Sequence, residues 1–149
     1  DLLMQASGRS GRADTEGNVI IQAFNPEHYV LKSVLSQDYE YFYNIEMNYR
    51  SKMMYPPYSH IMEIIISDIN TNRLNLSVDY LNNKLEEYEI KKFNPISLTK
   101  INNLNRIRIL LLDKNIKTLL DCVWSIMDEY LKNSKLSKIK IDIDPLYLE

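Results

Sequence analysis

Apolar residues change their spacing partway along this chain, and the change divides it. In the first third, the run inside NVIIQAF (18–24) predicts a short buried strand. It follows a helix expected to stop at Gly8 and a Gly- and Ser-containing loop from Arg9 to Gly17. Asn25-Pro26-Glu27 offers a cap, a proline for the first helical position and an acid for the first turn, which predicts a helix to about Leu35. Asp38 predicts the cap of a second helix to about Met53. YPPY (55–58) ends it, because a proline cannot continue a helix and pushes the residue before it to extended geometry. The expected boundary follows, with domains at 1–58 and 59–149.

Beyond Tyr58 the periods alternate. SHIMEIIIS (59–67) predicts a strand. Leu74, Val78, Leu81, Leu85 and Tyr88 mark one face of a helix from Thr71 to about Tyr88. A weaker extended segment at 90–97 leads to LTKINNL, read as a polar connection, and then to the strand NRIRILLL (105–112). Ile116, Leu119, Leu120, Val123, Trp124, Met127 and Leu131 make a helical stripe, which places Trp124 in the core. SKIKIDID (137–144) alternates as the last strand. The order β-α-β-β-α-β predicts an α+β, ferredoxin-like sandwich with two helices on one face of the sheet.

The period of two assigns the other face. His60, Met62, Ile64 and Ile66 would meet the helices, leaving Ile61, Glu63 and Ile65 outside. Arg106 and Arg108 would share that uncovered face with Glu63, flanked by Lys138 and Lys140. Two uses fit these residues. They suit a patch that neutralises a nucleic-acid backbone without reading bases. On the residues alone they suit better a solvated face with cross-strand ion pairs such as Glu63 with Arg108. No aromatics interleave, which disfavours a base-stacking platform.

Composition changes this picture little. The net charge of −2 is uninformative as a total, but Lys100 to Lys117 holds five basic residues against one acid. Cys122 is the only cysteine, so an internal disulfide is excluded and a structural zinc site is disfavoured. No apolar run approaches the ~20 residues that span a bilayer, and a reducing cytoplasm fits. Asp1-Leu2-Leu3-Met4 reads as mid-helix, the expectation for a fragment. The tyrosines at 39, 41, 43 and 49 are expected to pack against a neighbouring lobe, and Tyr55 and Tyr58 to bracket a rigid hinge. His60 has no acid beside it in sequence; Asp142 and Asp144 suit a strand end and turn better than a cation site.

One short stretch carries chemistry. QASGRSGR (5–12) fits Q-x-x-G-R-x-G-R, motif VI of superfamily 2 helicases. In that motif the arginines stabilise charge on the transferred γ-phosphoryl group, a task suited to a planar, permanently charged guanidinium. This motif, followed by Y-E-x-F-Y (Tyr39, Glu40, Phe42, Tyr43), YPPYSH and IDIDPL, closely resembles the C-terminal part of the primosomal replication-restart helicases, the PriA family.

The resemblance covers essentially the whole chain and implies an ATP-driven 3′-to-5′ DNA helicase that recognises stalled forks and restarts replication through primosome assembly. It implies the end of a second RecA-like lobe at 1–58 and an S10-like DNA-binding domain at 59–149. By position, Arg9 and Arg12 match the finger arginines, and Gln5 and Gly8 match the nucleotide-facing motif. The implied cofactors are ATP with Mg2+, and zinc held elsewhere in the full-length protein but not by this chain. Forked or single-stranded DNA, single-stranded-DNA-binding protein and primosome loader proteins are the implied partners. Walker motifs have no counterpart in these residues, so the chain alone is expected to be inactive. Where well-studied members carry an RWRWQ-like segment, this chain has LNRIR (104–108), which puts contact with the acidic tail of single-stranded-DNA-binding protein in doubt. The alternative is a stand-alone S10-like nucleic-acid or protein binding module without enzymatic activity.

Overall fold

The computed structural model describes residues 2–7 and 18–148. The chain divides into two compact units, Asp1–Tyr49 and Arg50–Glu149, each described by itself. The division falls inside one helix, so YPPY belongs to the second unit.

The first unit holds α1 (Leu2–Ser7), α2 (Tyr29–Ser36) and most of α3 (Tyr39–Met53). Residues 18–24 form no strand; Ile20 and Phe24 lie fully exposed. The expectation fails for a physical reason. An apolar run is a strand only if neighbours pair with it, and the described residues of this unit contain no other strand. The cap of α2 is also displaced. Asn25 Oδ1 accepts from Glu27 N at 3.1 Å and so closes a turn, while His28 Nδ1 accepts from Val30 N and caps the helix three residues later. Asp38 behaves as expected, its Oδ1 accepting from Tyr41 N at 2.8 Å. Tyr39, Tyr43 and Tyr49 are exposed, and a ladder of ring contacts runs Tyr49–Tyr29–Phe42–Tyr39–Tyr43.

The second unit is a βαββαβ sandwich. Its elements are β1 (His60–Asp68), α4 (Thr71–Leu85), β2 (Lys91–Lys92), β3 (Ile96–Ile101), β4 (Leu104–Asp113), α5 (Ile116–Lys132) and β5 (Lys138–Ile143). The antiparallel order is β2-β4-β1-β5, with β3 also on β4. Segments β2 and β3 lie end to end along β4, parted near Pro95, which lacks an N–H for the ladder. The stretch read as a polar connection is thus half a hairpin. Asn102 and Asn103 turn it with φ of 51° and 62°, the left-handed pair that a tight two-residue hairpin requires.

Both strand-to-helix turns use one device. Asp68 Oδ1 accepts from Asn70 N, and Asn70 Oδ1 caps α4 through Asn72 N and Arg73 N. Asp113 Oδ1 accepts from Asn115 N, and Asn115 Oδ1 caps α5 through Lys117 N. The helices cover Met62, Ile64, Ile66, Ile109 and Leu111 with Leu74, Leu81 and Leu119, all nearly inaccessible to solvent. Each such side chain contributes about 1.5–3 kcal/mol by leaving water. The buried face of α5 is Leu119, Cys122, Val123, Ile126, Met127 and Tyr130. Trp124 is therefore not core: it is 66 % exposed, because the stripe that packs is rotated toward Cys122, Ile126 and Tyr130.

Candidate nucleic-acid interface

The register of the sheet builds the second face row by row. Arg106 and Lys138 flank Ser67, and Arg108 and Lys140 flank Ile65. Leu110 and Asp142 flank Glu63. The fold thus brings all four basic residues expected from the sequence into two adjacent rows spanning three strands. Two strand spacings, about 9.5 Å, separate β4 from β5. Strand β3 adds Leu98 beside Arg106 and Ile96 beside Arg108. Ile96 lies in the segment expected to be extended, whereas reading 98–104 as a connection missed Leu98; Asn-Asn between two alternating runs was the signal that could have found it.

This face is not uncovered at its centre. Ile65 is buried, and Glu63 is only 1 % exposed. A buried carboxylate demands a charged partner. Arg108 Nη1 lies 3.8 Å from Glu63 Oε1, with the Arg108 side chain 16 % exposed. Long stems laid over apolar neighbours close such a face while their charges stay near water. At the far end Met54, Ser59, Lys91 and Leu112 help line a cavity of about 330 Å³, and Lys91 Nζ reaches Met53 O at 3.4 Å. Lys138 and Lys140 are exposed, and Arg106 is half-buried. The four basic groups therefore differ in access to a ligand.

Gln5 sits exposed on α1, whereas Gly8, Arg9 and Arg12 lie outside the described residues. His60 does have an acid beside it: its Nδ1 is 2.7 Å from Asp144 Oδ2. Sequence distance hid this pair. Asp144 also accepts from Ile61 N at 2.9 Å, so it closes a strand end. Among the described residues no group of three His, Cys, Asp or Glu could hold a metal. Cys122 is a poor zinc ligand, since burial pushes its thiol up to about 11. No helix among the described residues is long and apolar enough to cross a membrane.

No protein-family model matches the chain. Among solved structures, the de novo designed protein Foldit4 aligns with 60 % of the chain and 99 % of its own, with 13 % identity and a TM-score of 0.49. Curated relatives are more informative. The replication restart protein PriA of Borreliella burgdorferi is 30 % identical over 151 aligned residues, 98 % of this chain. PriA of Bacillus subtilis is 44 % identical over 66 residues, 44 % of this chain and 8 % of its own length. The chain spans 23 % of the Borreliella relative's length. It belongs to the replication restart protein PriA family.

Proposed function

We propose that the chain is the part of a replication-restart DNA helicase that carries the motif VI arginines and a nucleic-acid-binding βαββαβ domain. The observation that carries this reading is alignment of nearly the whole chain with PriA relatives. The whole protein would hydrolyse ATP with Mg2+, track DNA 3′ to 5′, recognise stalled forks and assemble a primosome in the cytoplasm. Of this chain, Gln5 and Gly8 would face the nucleotide, and Arg9 and Arg12 would neutralise charge on the γ-phosphoryl group as it transfers. The chain alone would not turn over ATP.

The sheet face would hold phosphodiester backbone through Arg106, Lys138 and Lys140. Arg108, paired with buried Glu63, contributes chiefly by shaping the face. Ile107 packs against the core, so the LNRIR strand offers a protein partner charge but no aromatic or apolar anchor at that position. Single-stranded-DNA-binding protein and loader proteins would then engage other surfaces or this strand weakly.

The test is DNA-stimulated ATP hydrolysis by the full-length protein carrying Arg9→Ala or Arg12→Ala. We expect each change to lower kcat by about 10³-fold or more while leaving DNA affinity intact. Unchanged hydrolysis in both variants would remove the arginines from the reaction.

A further inference from the structure

Charge on the second face of the sheet is graded along the strands. Nearest the β3–β4 turn, Arg106 and Lys138 share one row, and Arg108 and Lys140 the next. The following row reverses sign, placing Glu63 directly opposite Asp142. Glu63 is buried and directs its charge at Arg108. Asp142 is half-buried on the edge strand and belongs to none of the ion pairs found among the described residues.

These rows constrain the course of a polyanion. Laid along β5, its phosphates would pass from Lys138 over Lys140 and then over Asp142, each step about 6.8 Å. Laid across the strands over Ser67 and Ile65, it would meet basic groups from β4 and β5 and the apolar Leu98 and Ile96 of β3. Repulsion from a carboxylate one row away is modest in water yet sufficient to choose between two courses.

We propose that Asp142 bounds the nucleic-acid footprint on this face and turns the phosphodiester backbone across the sheet. It acts by excluding phosphate from the row it shares with Glu63. The inference rests on reading the basic rows as the contact surface, and its test separates the two. Anisotropy of a labelled single-stranded oligonucleotide would be titrated with the chain carrying Asp142→Asn or Asp142→Lys. Thermal melts would confirm that each variant folds. At low ionic strength we expect about twofold tighter binding for Asp142→Asn and about fivefold for Asp142→Lys, both fading as salt rises. The lysine variant should also steepen the log–log salt slope by about 0.7. Folded variants that bind like the wild type, or more weakly, overturn the boundary role. The variant Arg106→Ala/Lys138→Ala/Lys140→Ala is the separate arm. If it loses affinity while the Asp142 variants gain none, only the boundary fails; if it loses nothing, the contact surface itself fails.

Discussion

His60 Nδ1 lies 2.7 Å from Asp144 Oδ2, joining residues 84 positions apart at the end of the sheet. The two stretches YPPYSH and IDIDPL thereby become halves of one clasp. Asp144 Oδ1 accepts from Ile61 N at 2.9 Å, and Asp144 N donates to Ile61 O at 2.8 Å. Asp144 adopts φ of 47°, a left-handed conformation that Asp and Asn tolerate better than most residues.

The clasp predicts a graded pair of variants. Asp144→Ala removes the acceptor for Ile61 N and should cost about 1–3 kcal/mol. The His60–Asp144 side-chain contact itself is more than a third exposed and adds little. Asp144→Asn keeps an acceptor and the backbone preference, so its effect should be smaller. Urea unfolding compares them; identical midpoints for Ala and wild type would contradict the clasp.

Asp68 predicts an acid-sensitive fold. Its carboxylate is 4 % exposed and takes two bonds from the Arg73 guanidinium, at 2.5 and 2.8 Å. That guanidinium holds the Asp68 carboxyl well below the usual carboxylate range, Asn70 N–H helping, against burial, which raises it. A depressed folded value means stability is present above the unfolded value, about pH 4, and is lost as pH falls below it. The urea midpoint of the wild type should therefore fall more steeply between pH 5 and pH 2 than that of Asp68→Asn (both pH limits approximate). Parallel curves would remove Asp68 from the acid response.

Trp124 is the only tryptophan, so its exposure can be read directly. Native fluorescence should be quenched readily by iodide, and Trp124→Ala should change stability by no more than about 0.5 kcal/mol. Leu119→Ala, one face away and fully buried, should cost about 2–5 kcal/mol. A native tryptophan shielded from quencher would place it back in a packed layer.

The β3–β4 turn predicts a conformational cost. Asn102→Val/Asn103→Val puts branched side chains at two left-handed positions and should destabilise by about 1–2 kcal/mol per residue. Asn103→Gly should be neutral or stabilising. Hydrogen exchange at Ile101 and Leu104 would localise the destabilisation to the hairpin. Unchanged exchange in the valine variant would contradict the turn geometry.

These residues also show how much of the fold was legible in the sequence. Strands β1, β4 and β5 announce themselves because one face is apolar at every second position, and Asp-x-Asn marks both turns into helices. The four basic residues could be placed on one face from period alone. What covers that face could not, since burial of Glu63 depends on three strands meeting. Most of strand β3 escaped notice because an edge strand need not be apolar: its start at Ile96 fell in the segment expected to be extended, but Thr99 and Lys100 read as loop. Residues 18–24 misled in the opposite sense, being apolar with no strand among the described residues of their unit to pair with. On α5 the period was right and the phase wrong, because Cys122 and Tyr130 count as apolar once packed.

Binding to forked DNA tests the central claim most directly. The chain would be titrated onto a labelled fork across a salt series, beside a folded Arg106→Ala/Lys138→Ala/Lys140→Ala variant. We predict that log affinity falls linearly with log salt and that the variant binds more weakly, its slope shallower by about 0.7–0.9 for each phosphate it no longer neutralises. Equal affinity and equal slope for the two proteins would mean that the basic rows hold no DNA.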